Sequence, residues 1–313
     1  MPPRTTTPKP PKPKRVVVAI NPSASFGKSR DVGPALVQTL RASGHEVTSL
    51  QEPDWESLGA SARAAVAKRP DALVVVGGDG MVHLGVNVLA GKRVPLGIVP
   101  AGTGNDMARS LGIPYENAEA AIRALGDALT RDPRTIDAAR IRWTDPDGAR
   151  GERWFGGALS AGFDAIVNER ANSMHHPKGP SRYTIAIMVE LARLKPIHYR
   201  LTLDEQVIEV DGSMVSIGNG ISLGGGMKIT PDALLDDGLL DVMIVKPLGR
   251  VKFLRIFPKV FSGTHTTLPE VRMERARRIR IEADGIVVYG DGERLGPAPV
   301  DIELVPGALR VLV

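Results

Sequence analysis

A chain of 313 residues with 42% apolar side chains holds enough material for two domains with cores of their own, which excludes general disorder. It has no cysteine, so disulfides, thiolate metal sites and a cysteine nucleophile are excluded, and no apolar run approaches the ~20 residues that span a bilayer. The net charge of +5 arises from Arg4, Lys9, Lys12, Lys14 and Arg15 in an acid-free start, and without these five the remaining 35 basic residues face 35 acidic ones.

The folded body is therefore formally neutral and carries no nucleic-acid signal. Residues 1–14 read as a disordered Pro/Lys tail, either a solubilising end or an attachment to anionic headgroups. No apolar signal segment stands at the start, so a cytoplasmic protein, soluble or peripheral to the inner face of the membrane, is expected.

The first strand is expected at Arg15 to Ile20, followed by the loop Asn21-Pro22-Ser23-Ala24-Ser25-Phe26-Gly27-Lys28-Ser29. Its Gly-Lys-Ser end invites a Walker A reading, but that spacing demands glycine at position 22, where Pro22 stands. Asn21 and the serine hydroxyls remain able to meet a nucleotide. A helix over about Arg30 to Ala42, a strand over Glu46 to Leu50 and a helix over Trp55 to Lys68 follow.

Leu73 to Val76 is a short apolar run stopped by paired glycines, the pattern of an interior parallel strand. Gly77, Gly78 and Gly80 let a flat anion approach the backbone, and the periodic run Met81 to Ala90 predicts a helix whose first amides point at that anion. Asp79 is the odd residue, because a carboxylate repels phosphate unless a cation or water stands between them. The same segment also fits a tight turn with Asp79 as helix N-cap. A second strand, Leu96 to Val99, runs into Pro100-Ala101-Gly102-Thr103-Gly104-Asn105-Asp106 and a short helix, Met107 to Leu111. Two glycine loops at the carboxyl ends of neighbouring parallel strands face one crevice, as in a doubly wound α/β domain.

From about Thr135 the rhythm becomes antiparallel, with a hairpin turn at Asp145-Pro146-Asp147-Gly148. Further strands are expected at His198 to Leu203, Val207 to Ile217, Leu239 to Val245, Arg278 to Ala283, Gly285 to Tyr289, Val300 to Leu304 and Leu309 to Val313. Helices are expected at about Ala165 to Asn172, Tyr183 to Leu194 and Gly249 to Phe261, the last kinked by Pro258. The division is 15–138 for an α/β nucleotide-binding domain and 139–313 for a mostly antiparallel β-sandwich.

Taken together, Asn21-Pro22, Gly77-Gly78-Asp79-Gly80, Gly102-Thr103-Gly104-Asn105-Asp106, Ile136-Asp137, Pro231-Asp232 through Asp236-Asp237-Gly238-Leu239, and Asp291-Gly292-Glu293 resemble, in order, the diacylglycerol kinase catalytic-domain family. These are soluble bacterial lipid kinases related to sphingosine and ceramide kinases. The resemblance implies an NAD-kinase- or phosphofructokinase-like first domain that binds ATP between the domains. It puts Asn21, Gly77, Gly78, Asp79, Gly80, Met81, Gly102, Thr103 and Asn105 at the nucleotide. It implies a magnesium ion held through water and carboxylates by Asp79, Asp106 and Asp137, and a structural magnesium at Leu234, Asp237 and Leu239. It makes Glu293 the general base toward the lipid hydroxyl, with Asp291 in support. Read alone, Asp291-Gly292 is equally an ordinary hairpin turn.

Met81 and the absence of a threonine near Gln51 to Trp55 depart from the family pattern. The implied reaction is phosphorylation of diacylglycerol, presented at a membrane surface, to phosphatidic acid, by a monomer or homodimer. A sphingoid base, another lipid or NAD as acceptor, or a non-catalytic nucleotide or lipid sensor, are the alternatives. The six histidines show no metal-ligand spacing, and His83 reads as a packing or polar-face residue. Gly224-Gly225-Gly226-Met227 fits a border of the acyl entrance or a bulge. Around 249–261, a basic face of Lys252, Arg255 and Lys259 and an apolar one of Phe253, Leu254, Phe257 and Phe261 fit core packing or a bilayer surface.

Overall fold

A computed structural model describes residues 12–21, 31–174, 176 and 180–313, with the side chains of 180–184 excepted. The tail up to residue 11, the loop 22–30 and His175 lie outside the described residues. The first half alternates β1 (Arg15–Ile20), α1 (Val32–Ala42), β2 (Glu46–Leu50), α2 (Trp55–Ala67), β3 (Ala72–Gly77), α3 (Asp79–Leu89), β4 (Leu96–Pro100), α4 (Asp106–Leu111) and α5 (Ala118–Ala128). The second half runs β5 (Arg134–Thr144), β6 (Arg150–Phe155), β7 (Ala158–Gly162), α6 (Phe163–Ser173), α7 (Pro180–Ala192), β8 (Ile197–Leu203), β9 (Gln206–Gly212) and β10 (Met214–Gly218). It ends with β11 (Leu240–Val245), α8 (Arg250–Ile256), α9 (Pro258–Ser262), β12 (Val271–Ala276), β13 (Arg278–Glu282), β14 (Val287–Gly290), β15 (Glu293–Pro297) and β16 (Val300–Val311).

The expected α/β half is present: β2-β1-β3-β4 pair in parallel, with β1 and β3 apolar almost end to end because helices cover both faces. Leu58, Ala62, Met81 and Val86 pack on one face, and Leu36, Leu40, Ile122 and Leu125 on the other. The helix α5 was absent from the sequence expectation. It is built from Ala121, Ile122, Leu125 and Ala128 at helical spacing, with the Asn117 side chain accepting from the Ala120 amide at 3.0 Å.

The second half is the expected antiparallel sandwich. A six-stranded sheet, β12-β11-β10-β7-β14-β15, faces the strands β5, β16, β13 and β8 across a core containing Phe155, Tyr199, Ile217 and Ile302. The strand expected over Val207 to Ile217 is two strands in different sheets, because Gly212 and Ser213 carry the chain across the sandwich. A Cβ at Gly212 would stand 3.0 Å from the Val245 carbonyl oxygen and 3.3 Å from the Tyr199 ring. The helix expected over Gly249 to Phe261 breaks into α8 and α9 at Phe257, since Pro258 has no amide to continue it.

The two strands expected at 300–304 and 309–313 are one, β16, with a register shift between Val305 and Leu309. That single strand pairs β13 at its start and β5 along its length, and joins β4 in parallel at Val311. The ten-stranded sheet therefore runs through both halves. Asp137 stabilises the irregular stretch. Its Oδ1 accepts from the Gly307 amide and its Oδ2 from the Gly238 amide, both at 2.8 Å, and the residue is buried.

Asp137→Ala orphans both amides and is expected to cost ~3 kcal/mol of unfolding free energy. Urea denaturation measures this, and a loss below ~1 kcal/mol would show that other groups satisfy those amides.

Candidate active site

The strand β3 ends at Gly77, and α3 begins at Asp79 with Gly78 as its N-cap, two residues earlier than expected. The cause is the Gly78 carbonyl, which accepts from the Met81 and Val82 amides at 3.0 and 3.3 Å. Asp79 and Gly80 thereby become the opening turn of the helix, where amides have no intrahelical acceptor and suit an anion. Met81 is corrected from a nucleotide contact to a core residue. Its amide is used within the turn, its side chain is fully buried, and a Cβ at Gly77 would stand 2.4 Å from its Cγ. Asn21 closes the same corner from β1, donating its amide to Val76.

The second loop lies directly on the first. A Cβ at Gly102 would stand 2.3 Å from the Gly78 Cα, and one at Gly104 would stand 2.3 Å from Asp79 Oδ2. Only glycine permits this approach. Asn105 takes a left-handed conformation at φ 54° and its side chain turns back, donating to the Gly102 carbonyl at 3.0 Å and accepting from the Gly102 amide at 3.2 Å. It shapes the loop from within, a correction to its expected place against the nucleotide. Thr103 is exposed on the loop tip.

Asp79 accepts from the Asp106 amide at 2.7 Å and the Asn105 amide at 2.9 Å, so its carboxylate caps α4. Burial, followed by the nearby Asp106 carboxylate, pushes the Asp79 carboxyl up to about 6 despite those two bonds. Asp106 is itself buried and accepts from the Gly226 and Gly225 amides at 2.7 and 2.8 Å.

From the second half, Asp291 and Gly292 form a two-residue turn between β14 and β15, with φ of 51° and 84°. The Asp291 carboxylate accepts from the amides of Gly156, Gly157 and Ala158 at 3.0, 2.9 and 3.1 Å. His83 Nδ1 lies 3.6 Å from Asp291 Oδ2, which ties α3 to the turn. This turn carries Glu293 across the cleft. A Cβ on Gly80 would stand 2.8 Å from Glu293 Oε1 and 3.6 Å from Trp55 Cη2, so an acid of the last hairpin and an indole of α2 border the opening of α3.

Asp79, Asp106, Asp291 and Glu293 thus gather, while each Asp137 carboxylate oxygen accepts from one amide, those of Gly307 and Gly238. Among the described residues no three His, Asp or Glu side chains are arranged to hold a metal ion. The cation beside Asp237 is Arg275, an ion pair, and Asp237 Oδ1 accepts from the Leu239 amide at 3.1 Å. Leu234, Asp237 and Leu239, expected to hold magnesium, thus stand with the Arg275 guanidinium beside the carboxylate. The glycine cradle, which any Cβ would fill, fits a phosphate chain. Asp79, whose charge is costly where it stands, fits a magnesium ion that keeps most of its oxygens from phosphate and water.

The sequence reading missed Gly225 and Gly226 as partners of Asp106, and Asn219, which is buried and donates to the Asp137 and Gly156 carbonyls at 3.0 and 2.8 Å. It also missed Arg109, whose Nε donates to the Gly104 carbonyl at 3.1 Å while its guanidinium lies 3.9 Å from the Tyr115 ring. Its position one turn into α4 was the only available signal. Beyond the Gly224 to Met227 loop lies an apolar cavity of about 90 Å³, lined by Phe163, Met214, Leu223, Met227 and Phe257, with Asp164 at its wall. Burial pushes the Asp164 carboxyl up to about 6, against the opposing pull of the Ser160 hydroxyl.

Gly104→Ala drives a methyl into Asp79 and is expected to lower kcat/KM for the nucleotide about a hundredfold, with a small change in melting temperature. An enzyme of normal kcat/KM would show that the two loops need not touch. Asp164 is protonated in folded and unfolded chains below about pH 4, so it costs nothing there. As pH rises through about 6 the unfolded chain ionises first, and the folded state loses ~3 kcal/mol. Asp164→Asn is therefore expected to melt higher than the parent at about pH 8 and level with it at about pH 4, measured by calorimetry.

Residues 15–141 match the diacylglycerol kinase catalytic domain, and residues 157–313 match the YegS C-terminal NAD kinase beta sandwich-like domain. The chain is 42% identical over 299 residues to a diacylglycerol kinase of Mycobacterium tuberculosis, covering 95% of this chain and 94% of the relative. It is 33% identical over 251 residues to a probable lipid kinase, YegS-like, of Stenotrophomonas maltophilia, covering 77% and 78%. A crystal structure of a putative diacylglycerol kinase from Bacillus anthracis superposes with a TM-score of 0.71 at 25% identity, over 96% of each chain. Two stacked glycine loops, a carboxylate capping the second of them, and a hairpin acid brought across the cleft occur here in a chain that belongs to the diacylglycerol kinase catalytic-domain family.

Proposed function

We propose that this protein is a lipid kinase that uses ATP, and that its acceptor is the free hydroxyl of diacylglycerol, giving phosphatidic acid. The observation that carries the reading is the approach of Glu293 to Gly80, at the mouth of the glycine cradle beside Asp79, from a hairpin more than 200 residues further along the chain. In this reading the triphosphate lies over the amides of Asp79 and Gly80 and along the Gly102 to Gly104 loop. Glu293 accepts the proton of the acceptor hydroxyl. That oxygen then forms the new bond to the terminal phosphorus, the bond from phosphorus to the bridging oxygen breaks, and ADP leaves. Asp79 would hold a magnesium ion, which would supply charge neutralisation for the phosphates.

Asp291 acts through Glu293. Its three amide bonds hold the hairpin against β6 and β7, so the base is positioned by the sandwich core rather than by a free loop. The names carried by the relatives from Mycobacterium tuberculosis and Stenotrophomonas maltophilia support a lipid acceptor.

The test is incubation with ATP labelled at its terminal phosphoryl, magnesium, and mixed micelles of diacylglycerol, sphingoid bases or other lipids, with NAD as a separate arm. Label in phosphatidic acid is expected; label in another product reassigns the acceptor, and binding of ATP without any transfer overturns the kinase reading. Glu293→Gln is expected to lower kcat by about 10²- to 10⁴-fold while leaving ATP affinity near normal. Unchanged turnover would remove Glu293 from the reaction.

A further inference from the structure

The short helices α8 and α9 present a surface that the catalytic reading does not use. Their inward side is fixed by Phe253 and Ile256, both buried, with the Phe253 ring centroid 4.6 Å from that of Phe163. Leu254 and Phe261, which the sequence grouped with Phe253, instead face outward and are 53% and 49% exposed, and Val251 is 72% exposed. About half of Leu254 and of Phe261 stands in solvent, and Phe261 meets Phe257 edge-on with ring centroids 6.0 Å apart. Interleaved with them are four cations, Arg250, Lys252, Arg255 and Lys259, along an open groove of about 910 Å³. The groove contains one acid, Glu270, and it is paired with Lys252 at 2.5 Å. Among the described residues, Arg250, Arg255 and Lys259 have no acidic partner.

Cations alone would suit an acidic peptide, and apolar tips alone would suit a second copy of the chain. A cationic flank beside exposed apolar tips on the same pair of helices matches the boundary of an anionic bilayer, where phosphates and acyl chains lie within one side chain of each other. The surroundings agree. Leu248 and Ile256 line both the groove and the apolar cavity, and the far end of that cavity is lined by Leu223 and Met227. These two residues pair across the loop that gives the Gly225 and Gly226 amides to Asp106. The loop is fastened to α9 by the Lys228 amide, which donates to the Val260 carbonyl at 2.9 Å. Apolar side chains therefore lead from the exposed helices to within one loop of the catalytic carboxylates.

We propose that the α8–α9 face docks the protein on an anionic membrane, with Val251, Leu254 and Phe261 entering the headgroup boundary and Arg250, Arg255 and Lys259 meeting lipid phosphates. The inference rests on the lipid-acceptor reading for its purpose, but its test does not require turnover. The full chain is sedimented with vesicles of phosphatidylcholine alone and of phosphatidylcholine mixed with phosphatidylglycerol. The parent binds the mixed vesicles more tightly. Arg255→Gln with Lys259→Gln loses about fivefold in affinity for each cation removed, which corresponds to ~1 kcal/mol per cation at an anionic surface. Leu254→Ser with Phe261→Ser binds both vesicle types more weakly than the parent. Both double variants keep the parent's melting temperature and its kcat toward a short-chain diacylglycerol dissolved in water.

Parent-like binding of the charge variant to mixed vesicles overturns the proposal. So does a solution dimer that Leu254→Ser with Phe261→Ser breaks while vesicle binding persists, since the face then belongs to a second copy. Vesicle binding that follows these residues in a protein that phosphorylates no lipid leaves the docking face standing and removes the kinase reading. Normal lipid turnover with vesicle binding indifferent to both variants does the reverse.

Discussion

Backbone amides gripping buried carboxylates hold this molecule in its working shape. Asp79 caps the amides of Asn105 and Asp106, Asp106 accepts from Gly225 and Gly226, Asp137 from Gly238 and Gly307, and Asp291 from Gly156, Gly157 and Ala158. Three of these four acids join stretches more than 100 residues apart. A charged acceptor makes a stronger bond than a neutral one, and removing either partner leaves a polar group stranded in the interior. The two halves are thus registered by contacts with strict geometry, which apolar packing alone does not impose.

The same arrangement sets the electrostatics of the cleft. Burial raises the proton affinity of Asp79, and the Asp106 and then the Asp291 carboxylates raise it further. Backbone donors offset part of that repulsion without filling the space where a phosphate chain would lie. Among the described residues, Arg109 brings a positive charge to the edge of the Gly104 loop.

Much of this was legible in the amino-acid order, for identifiable reasons. β3 and β4 announce themselves as buried apolar runs cut off by glycines, and the Asp291-Gly292 pair announces its hairpin, because those signals are local. The edge strands β12 and β15 were not visible. A strand at the margin of a sheet is half solvated, and Val271-Arg-Met-Glu-Arg-Ala276 and Glu293-Arg-Leu-Gly-Pro297 lack a clean alternation. The site residues divided in the same way. Gly77, Gly78, Gly80 and Gly102 could be assigned to turns that follow strands because paired glycines after an apolar run are a local signal. Whether Asp137 would meet a metal ion or two amides was decided by Gly238 and Gly307, and nothing near Ile136-Asp137 carries that information. Met81 went astray because a helix start displaced by two residues rotates its side chain from the cleft into the core.

The path of β16 has a bearing on how the chain acquires its fold during synthesis. Its end lies beside β4, so the sheet that begins with β1 is completed by a strand from the second half of the fold. An emerging polypeptide can stack α1 to α5 on β1 to β4, yet one margin of that sheet stays uncovered until Leu309 to Leu312 have left the ribosome. The nucleotide-binding half is thus not a self-sufficient unit that waits for its neighbour. Its closure waits on β16, and a chain lacking β16 would leave that strand margin open to pairing with other chains.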